Sequence, residues 1–156
     1  ARVKAMGTVL DVFGISFDAA LPQEVIETYT ARIEEVGQDG LTIFRDTETR
    51  GTALQLTGGG FQGPLTVVIA LDGDTVTGFR VVSQVETPGL GARITDEEFQ
   101  RSFEGKKVSN GIRMSRSGNA GPAEFDAITG ATETSKALEK MLNDGFRQYY
   151  ALRNKK

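Results

Sequence analysis

From Leu65 to Thr87 the chain reads LTVVIALDGDTVTGFRVVSQVET. The two halves of this stretch are rich in β-branched residues and alternate in polarity, the signature of strands on a pleated, half-buried surface. Asp72-Gly73 between them is a strong signal for a tight hairpin. Upstream, LTIFR (Leu41–Arg45) and TALQLT (Thr52–Thr57) read as further strands. Before them, Leu21–Ile33 places apolar groups at 22, 25, 26, 29 and 33, with Pro22 suited to a first helical turn. Downstream, Asp96–Phe103 follows Thr95 and reads as a short capped helix with acidic residues in its first turn. Glycine and polar residues dominate from Gly105 to Pro122. The last helix carries Ala137, Leu138, Met141, Leu142, Phe146 and Tyr149 on one face, with Lys136, Glu139, Lys140, Asp144 and Arg147 largely on the other. This order predicts an α+β fold, an antiparallel β-sheet flanked by helices, in one domain over residues 1–156.

Composition narrows the chemistry. The chain has 156 residues, 38% of them hydrophobic, enough for one core and too few for two domains of ordinary size. It has no cysteine and no histidine, which removes thiolate and imidazole metal sites, Cys/His and Ser/His/Asp nucleophilic centres, and ordinary haem ligation. Any redox role therefore belongs to an organic cofactor, and no catalytic or metal-ligating residue is expected. The 21 acidic and 18 basic residues are interspersed, without a basic stripe, so nucleic acid is not expected as a partner. No apolar run reaches the length of a membrane-spanning helix. The opening Ala1-Arg2-Val3-Lys4 has no initiator methionine and reads as a processed or truncated product.

Several short motifs reduce to local structure. Gly58-Gly59-Gly60-Phe61-Gln62-Gly63 matches G-x-G-x-x-G, yet Pro64 leads into a strand where the dinucleotide fingerprint requires a helix. A bend that brings backbone close to another group is the better reading. Asp72-Gly73-Asp74 lacks the further ligands of a calcium loop and is a turn. The pairs Glu34–Glu35 and Glu97–Glu98 read as solvated helix faces.

Two stretches resist that reduction. Glu86-Thr87-Pro88-Gly89-Leu90-Gly91 ends a strand, and its glycines let backbone approach a flat ligand while Leu90 covers it, although a strand-ending turn would look the same. Asp126-Ala127-Ile128-Thr129-Gly130-Ala131-Thr132 leads into a helix N-terminus, where unpaired amides and the dipole favour a phosphate. Ordinary N-capping by Thr and Ser is the competing explanation.

Together, ETPGLGARI at 86–94 and DAITGATETS at 126–135 resemble the FMN-binding domain shared by the G subunit of Rnf electron-transport complexes and the C subunit of Na+-translocating NADH:quinone reductase (Na+-NQR). Phe103-Glu104-Gly105-Lys106 and GGGFQGPLTVVIALDGD are similar to further features of that family, so the likeness runs from Gly58 to the last helix. The resemblance implies that a flavin transferase joins FMN, donated by FAD, to Thr132 through a phosphoester. It implies a role for Asp126 in recognition by that transferase. It also implies that Glu86, Thr87 and Leu90 line the isoalloxazine ring, with Ile128 and Thr129 across the cleft, Gly89 and Gly91 permitting the approach, and Gly130 and Ala131 leaving room for the phosphate.

The function so implied is electron transfer. A protein of this kind holds FMN covalently within a membrane-bound, ion-translocating oxidoreductase and does not turn over substrate alone. Its partners would be the other subunits of the complex and, during maturation, the transferase. The expected location is the extracytoplasmic (periplasmic) face of the membrane, with an N-terminal anchoring helix missing from this chain. A reversible flavin- or small-ligand-binding module outside a respiratory complex is the alternative.

Overall fold

The computed structural model of the chain describes residues 2–154. The elements follow in the order α1 (Arg2–Val12), α2 (Pro22–Arg32), β1 (Ile33–Gln38), β2 (Leu41–Asp46), β3 (Thr52–Gly59), β4 (Pro64–Asp72), β5 (Thr75–Ser83), a 3-10 turn (Gly91–Thr95), α3 (Glu97–Arg101), β6 (Arg113–Ser115), β7 (Glu124–Asp126) and α4 (Thr132–Arg153). Strands β1 to β5 form one sheet in sequential order, each antiparallel to the next. The Asp72-Gly73 hairpin is present, with Gly73 in the left-handed region at φ 61°.

β4 shows why the sheet is central. Leu65, Val67, Ile69 and Leu71 face the core beneath α4, while Val68 and Ala70 face a second core with Leu10, Val25 and Tyr29 from α1 and α2. A strand covered on both sides needs apolar residues at successive positions, which is what VVIAL supplies. α4 buries Leu138, Met141, Leu142, Phe146 and Tyr149 against the sheet, the face its periodicity predicts. Phe103 is buried and stacks on Phe79 at 4.2 Å between ring centroids. It anchors a segment whose backbone zips onto β5: the Gly105 N–H donates to the Val76 carbonyl (2.7 Å) and the Val76 N–H to the Lys106 carbonyl (2.8 Å). The Phe103–Lys106 motif thereby covers a sheet edge that would otherwise offer open backbone groups.

The α+β expectation holds, and so do the short helix at 22–32 and strands β2 to β5. Five elements lie outside that expectation: α1, the edge strand β1, the 3-10 turn, and the parallel pair β6–β7. Glu34 and Glu35 accordingly sit on β1 and not on a helix face. β5 ends at Ser83, short of the Thr87 that its alternation indicates. Its last partner on β4 is Thr66, and the ladder stops there although Leu65 and Pro64 still belong to β4. α3 is shorter than predicted and has no side-chain cap; the Thr95 hydroxyl donates to the Ala92 carbonyl.

Candidate functional site

Where β5 releases the chain, the next residues turn inward. The Glu86 N–H donates to Oε1 of Gln84 (2.7 Å), and the Glu86 side chain is only 4% exposed. Its carboxylate accepts three hydrogen bonds, from the Phe61 N–H (3.1 Å), the Gln62 N–H (3.0 Å) and the Thr134 hydroxyl (2.6 Å). One buried group thus joins the loop before β4, the loop after β5 and the first turn of α4. Three donors on one carboxylate offset the cost of removing its charge from water.

Glycine makes this approach possible. A Cβ on Gly60 would lie 2.9 Å from Oε2 of Glu86, and one on Gly91 would lie 2.9 Å from Cβ of Glu86 and also meet the Thr134 side chain. The bend read from GGGFQG therefore exists, and what its backbone approaches is Glu86.

At the start of α4 two hydroxyls are engaged within the protein. Ser135 Oγ accepts the Ile128 N–H (3.2 Å) and donates to the Ala131 carbonyl (3.0 Å), and Thr134 is committed to Glu86. Gly130 takes φ 81°, and no side chain caps the helix. The capping explanation fails: the N-cap position is Ala131, and the Thr134 and Ser135 hydroxyls are spent elsewhere. The first amides of α4 keep the unpaired donors and positive dipole end that suit an anion. Thr129 is exposed, and Thr132, half-buried, keeps its hydroxyl free of protein partners among the described residues.

Above these groups lies a cavity of about 350 Å³ lined by Phe61, Gln62, Thr87, Leu90, Gly91 and the run Gly130–Thr134. The volume is at the small end of the range for small-molecule sites. Phe61 and Leu90, both largely exposed, stand on its walls as apolar surfaces. Apolar walls beside a helix N-terminus suit a flat ring system with an anionic tail. Among the described residues no cluster of carboxylates could hold a metal ion.

Of the residues singled out in the sequence, Thr87, Leu90, Gly91, Gly130, Ala131 and Thr132 come together around this cavity. Glu86 lies behind its wall. Ile128 is buried in the core beneath α4, and Gly89 and Thr129 are exposed outside the lining. Asp126 is in β7 opposite Ser115, with Oδ1 buried and unpartnered. Sequence reasoning missed Phe61, Gln62, Glu133 and Thr134 as lining residues. The GGGFQG bend was the available signal for the first two.

The model of the FMN-binding domain family matches residues 60–147, more than half of the chain, and takes in every wall of this cavity. The chain belongs to that family. Among its relatives, the C subunit of the Na(+)-translocating NADH-quinone reductase of Chlamydia pneumoniae is 40% identical over 91 residues, covering 56% of this chain and 28% of that protein. The G subunit of the ion-translocating oxidoreductase complex of Methanosarcina acetivorans is 41% identical over 86 residues, covering 54% and 43%. Its counterpart in Stutzerimonas stutzeri is 32% identical over 133 residues, covering 83% and 52%. The domain thus spans about half, or less, of the length of these relatives. In fold it is similar to the crystal structure of the Na(+)-translocating NADH-quinone reductase C subunit from Parabacteroides distasonis, with TM-score 0.79, 25% identity, and coverage of 95% of this chain and 90% of that one. The Shewanella oneidensis NqrC structure shares the fold at TM-score 0.78 and 16% identity, covering 93% and 91%. No helix among the described residues is long and apolar enough to cross a membrane.

Proposed function

We propose that this chain is an electron-transfer flavoprotein subunit of a membrane-bound, ion-translocating oxidoreductase of the Rnf or Na+-NQR type, carrying FMN as a phosphoester on Thr132. The observation that supports it most is the juxtaposition of an uncapped helix N-terminus, an uncommitted Thr132 hydroxyl and a cavity with apolar walls, inside an FMN-binding domain. The neighbouring hydroxyls of Thr134 and Ser135 are buried and engaged, which leaves Thr132 as the accessible oxygen on the cavity side.

FMN, when held here, takes up or releases one or two electrons without any thiol or imidazole from the protein. The chain's own part is to hold it. The amides of α4's first turn would receive its phosphate, and Thr87, Leu90 and Gly91 would bound its ring with Phe61. Attachment from FAD would join the Thr132 oxygen to the FMN phosphorus, with the diphosphate bond to AMP breaking and the hydroxyl proton passing to a base. A threonine hydroxyl is a poor nucleophile unaided, so the base and any metal belong to the flavin transferase, which recognises Asp126. The same reading puts the domain on the extracytoplasmic face, held by a helix upstream of residue 1, among the other subunits of the complex.

Intact mass tests this. Coexpressed with a flavin transferase in the extracytoplasmic compartment, the chain gains the mass of FMN less one water, and Thr132→Ala gains nothing. Covalent flavin on Thr132→Ala would overturn the attachment site. Flavin that washes out on denaturation of the unaltered chain would make it a reversible flavin-binding module.

A further inference from the structure

The turn Gly60–Gly63 closes on itself through a Gly60 N–H to Gly63 carbonyl bond of 2.7 Å, and its two tip residues carry the Phe61 and Gln62 side chains that line the cavity. Phe61 is 58% exposed, so packing alone does not fix it. What fixes the turn is beneath it: both tip amides point at the two oxygens of the buried Glu86 carboxylate. Those amides are consequently spent, and only the side chains of 61 and 62 are free to meet a ligand. The same carboxylate holds the Thr134 hydroxyl two residues beyond Thr132.

We infer that Glu86 is a positioning residue: without touching the flavin, its carboxylate fixes the Phe61–Gln62 turn as one wall of the cavity and locks that wall to the first turn of α4. The ligand in this statement rests on the function proposed above, whereas the locking rests on the geometry of the chain alone. A glutamine at this position has one acceptor oxygen where glutamate has two, so at least one tip amide loses its partner.

Two measurements decide it. In the flavin-free chain, amide exchange by NMR is expected to be slow at Phe61 and Gln62. Glu86→Gln is expected to speed at least one of them tenfold or more while Val68 and Ile69, in the centre of β4, stay unchanged. Unchanged rates at 61 and 62, or equal acceleration of Val68 and Ile69, would overturn the inference. Should Glu86→Gln not fold, Gly60→Ala perturbs the same contact from the other side and is expected to give the same local pattern.

In the flavin-loaded chain, iodide quenching of flavin fluorescence reads the wall directly. Glu86→Gln and Phe61→Ala are each expected to raise the quenching constant severalfold, and the double variant to match the larger single one, because both act through one turn. Additive effects would mean that Glu86 meets the flavin itself and would sink the positioning role. A chain that takes up no flavin fails the function proposed above, and the exchange experiment still decides the fate of the turn.

Discussion

Two buried carboxylates sit in contrasting parts of the molecule. Asp46, 1% exposed, closes the β2–β3 turn and is bound to the Arg32 guanidinium through both oxygens, at 3.1 and 2.7 Å, as well as to the Glu48 N–H and the Thr49 hydroxyl. Glu86, 4% exposed, has only the neutral donors of Phe61, Gln62 and Thr134, and it forms no ion pair among the described residues. One is a charge neutralised where it stands. The other is a charge left on the protein beside a cavity that a ligand would fill. Burial of a carboxylate is compatible with either purpose, and the identity of its donors tells them apart.

The largest effect expected from this contrast is on stability. Asp46→Ala strands the Arg32 guanidinium, itself only 23% exposed, with Glu48 as its remaining partner at 2.9 Å. A cost of about 3 kcal/mol in urea unfolding is expected, the lower end for breaking a buried pair because Arg32 still reaches water. Glu86→Ala strands neutral donors only and is expected to cost about 2 kcal/mol. A larger loss at Glu86 than at Asp46 would show that the neutral donors, and not the Arg32 pair, carry the greater share of stability.

pH separates the two sites further. Burial pushes the Asp46 carboxyl up from its ordinary 3.8, but the Arg32 guanidinium with the Glu48 and Thr49 hydrogen bonds outweighs it and holds the group at about 2. The folded state therefore favours the ionised form. Its contribution is complete above pH 3.8 and is lost as pH falls from there through about 2. Unfolding curves for the unaltered chain and Asp46→Asn should converge across that window, the variant lacking this part of the acid loss. Curves that stay parallel down to about pH 2 would show that the Arg32 pair contributes nothing to stability.

The contrast also marks how far the sequence could be read. Strands β2 to β5 were legible because a sheet covered on both sides demands runs such as VVIAL, and α4 because a single apolar stripe meets the sheet along its length. α1 was not: RVKAMGTVLDV includes a glycine, and its buried residues Gly7, Val9, Leu10 and Val12 make no clear helical stripe. Charged IEEVGQ of β1 is an edge strand with little apolar alternation, and β6 and β7 are three-residue strands whose pairing depends on distant contacts. In the site, the motif at 86–91 was legible as a place where backbone comes close, and the run 129–132 as a helix start with room for an anion. That Glu86 lies behind the cavity lining was not legible, because the period-2 rule for which side a residue faces lapses where the ladder stops at Ser83. Nor could local sequence reveal that Thr134, 48 positions away, would meet it.

The smallest expected effect is the sharpest. Each carboxylate accepts one threonine hydroxyl, Thr49 at 2.9 Å on Asp46 and Thr134 at 2.6 Å on Glu86. Valine keeps the shape of the side chain and removes only the donor. At Asp46 the loss leaves a guanidinium on both oxygens, and Thr49 is exposed, so Thr49→Val is expected to cost no more than about 0.5 kcal/mol. At Glu86 the loss leaves the buried Oε1 with the Phe61 amide alone and no cation to share the charge, so Thr134→Val is expected to cost about 1.5 kcal/mol. The pair is measured by urea unfolding at neutral pH. Equal costs would mean that the missing cation at Glu86 is supplied in some other way, and the distinction between a carboxylate paired with a cation and one held by neutral donors would fall; a threefold difference would fix the donor set, more than burial itself, as what separates the structural carboxylate from the one behind the cavity wall.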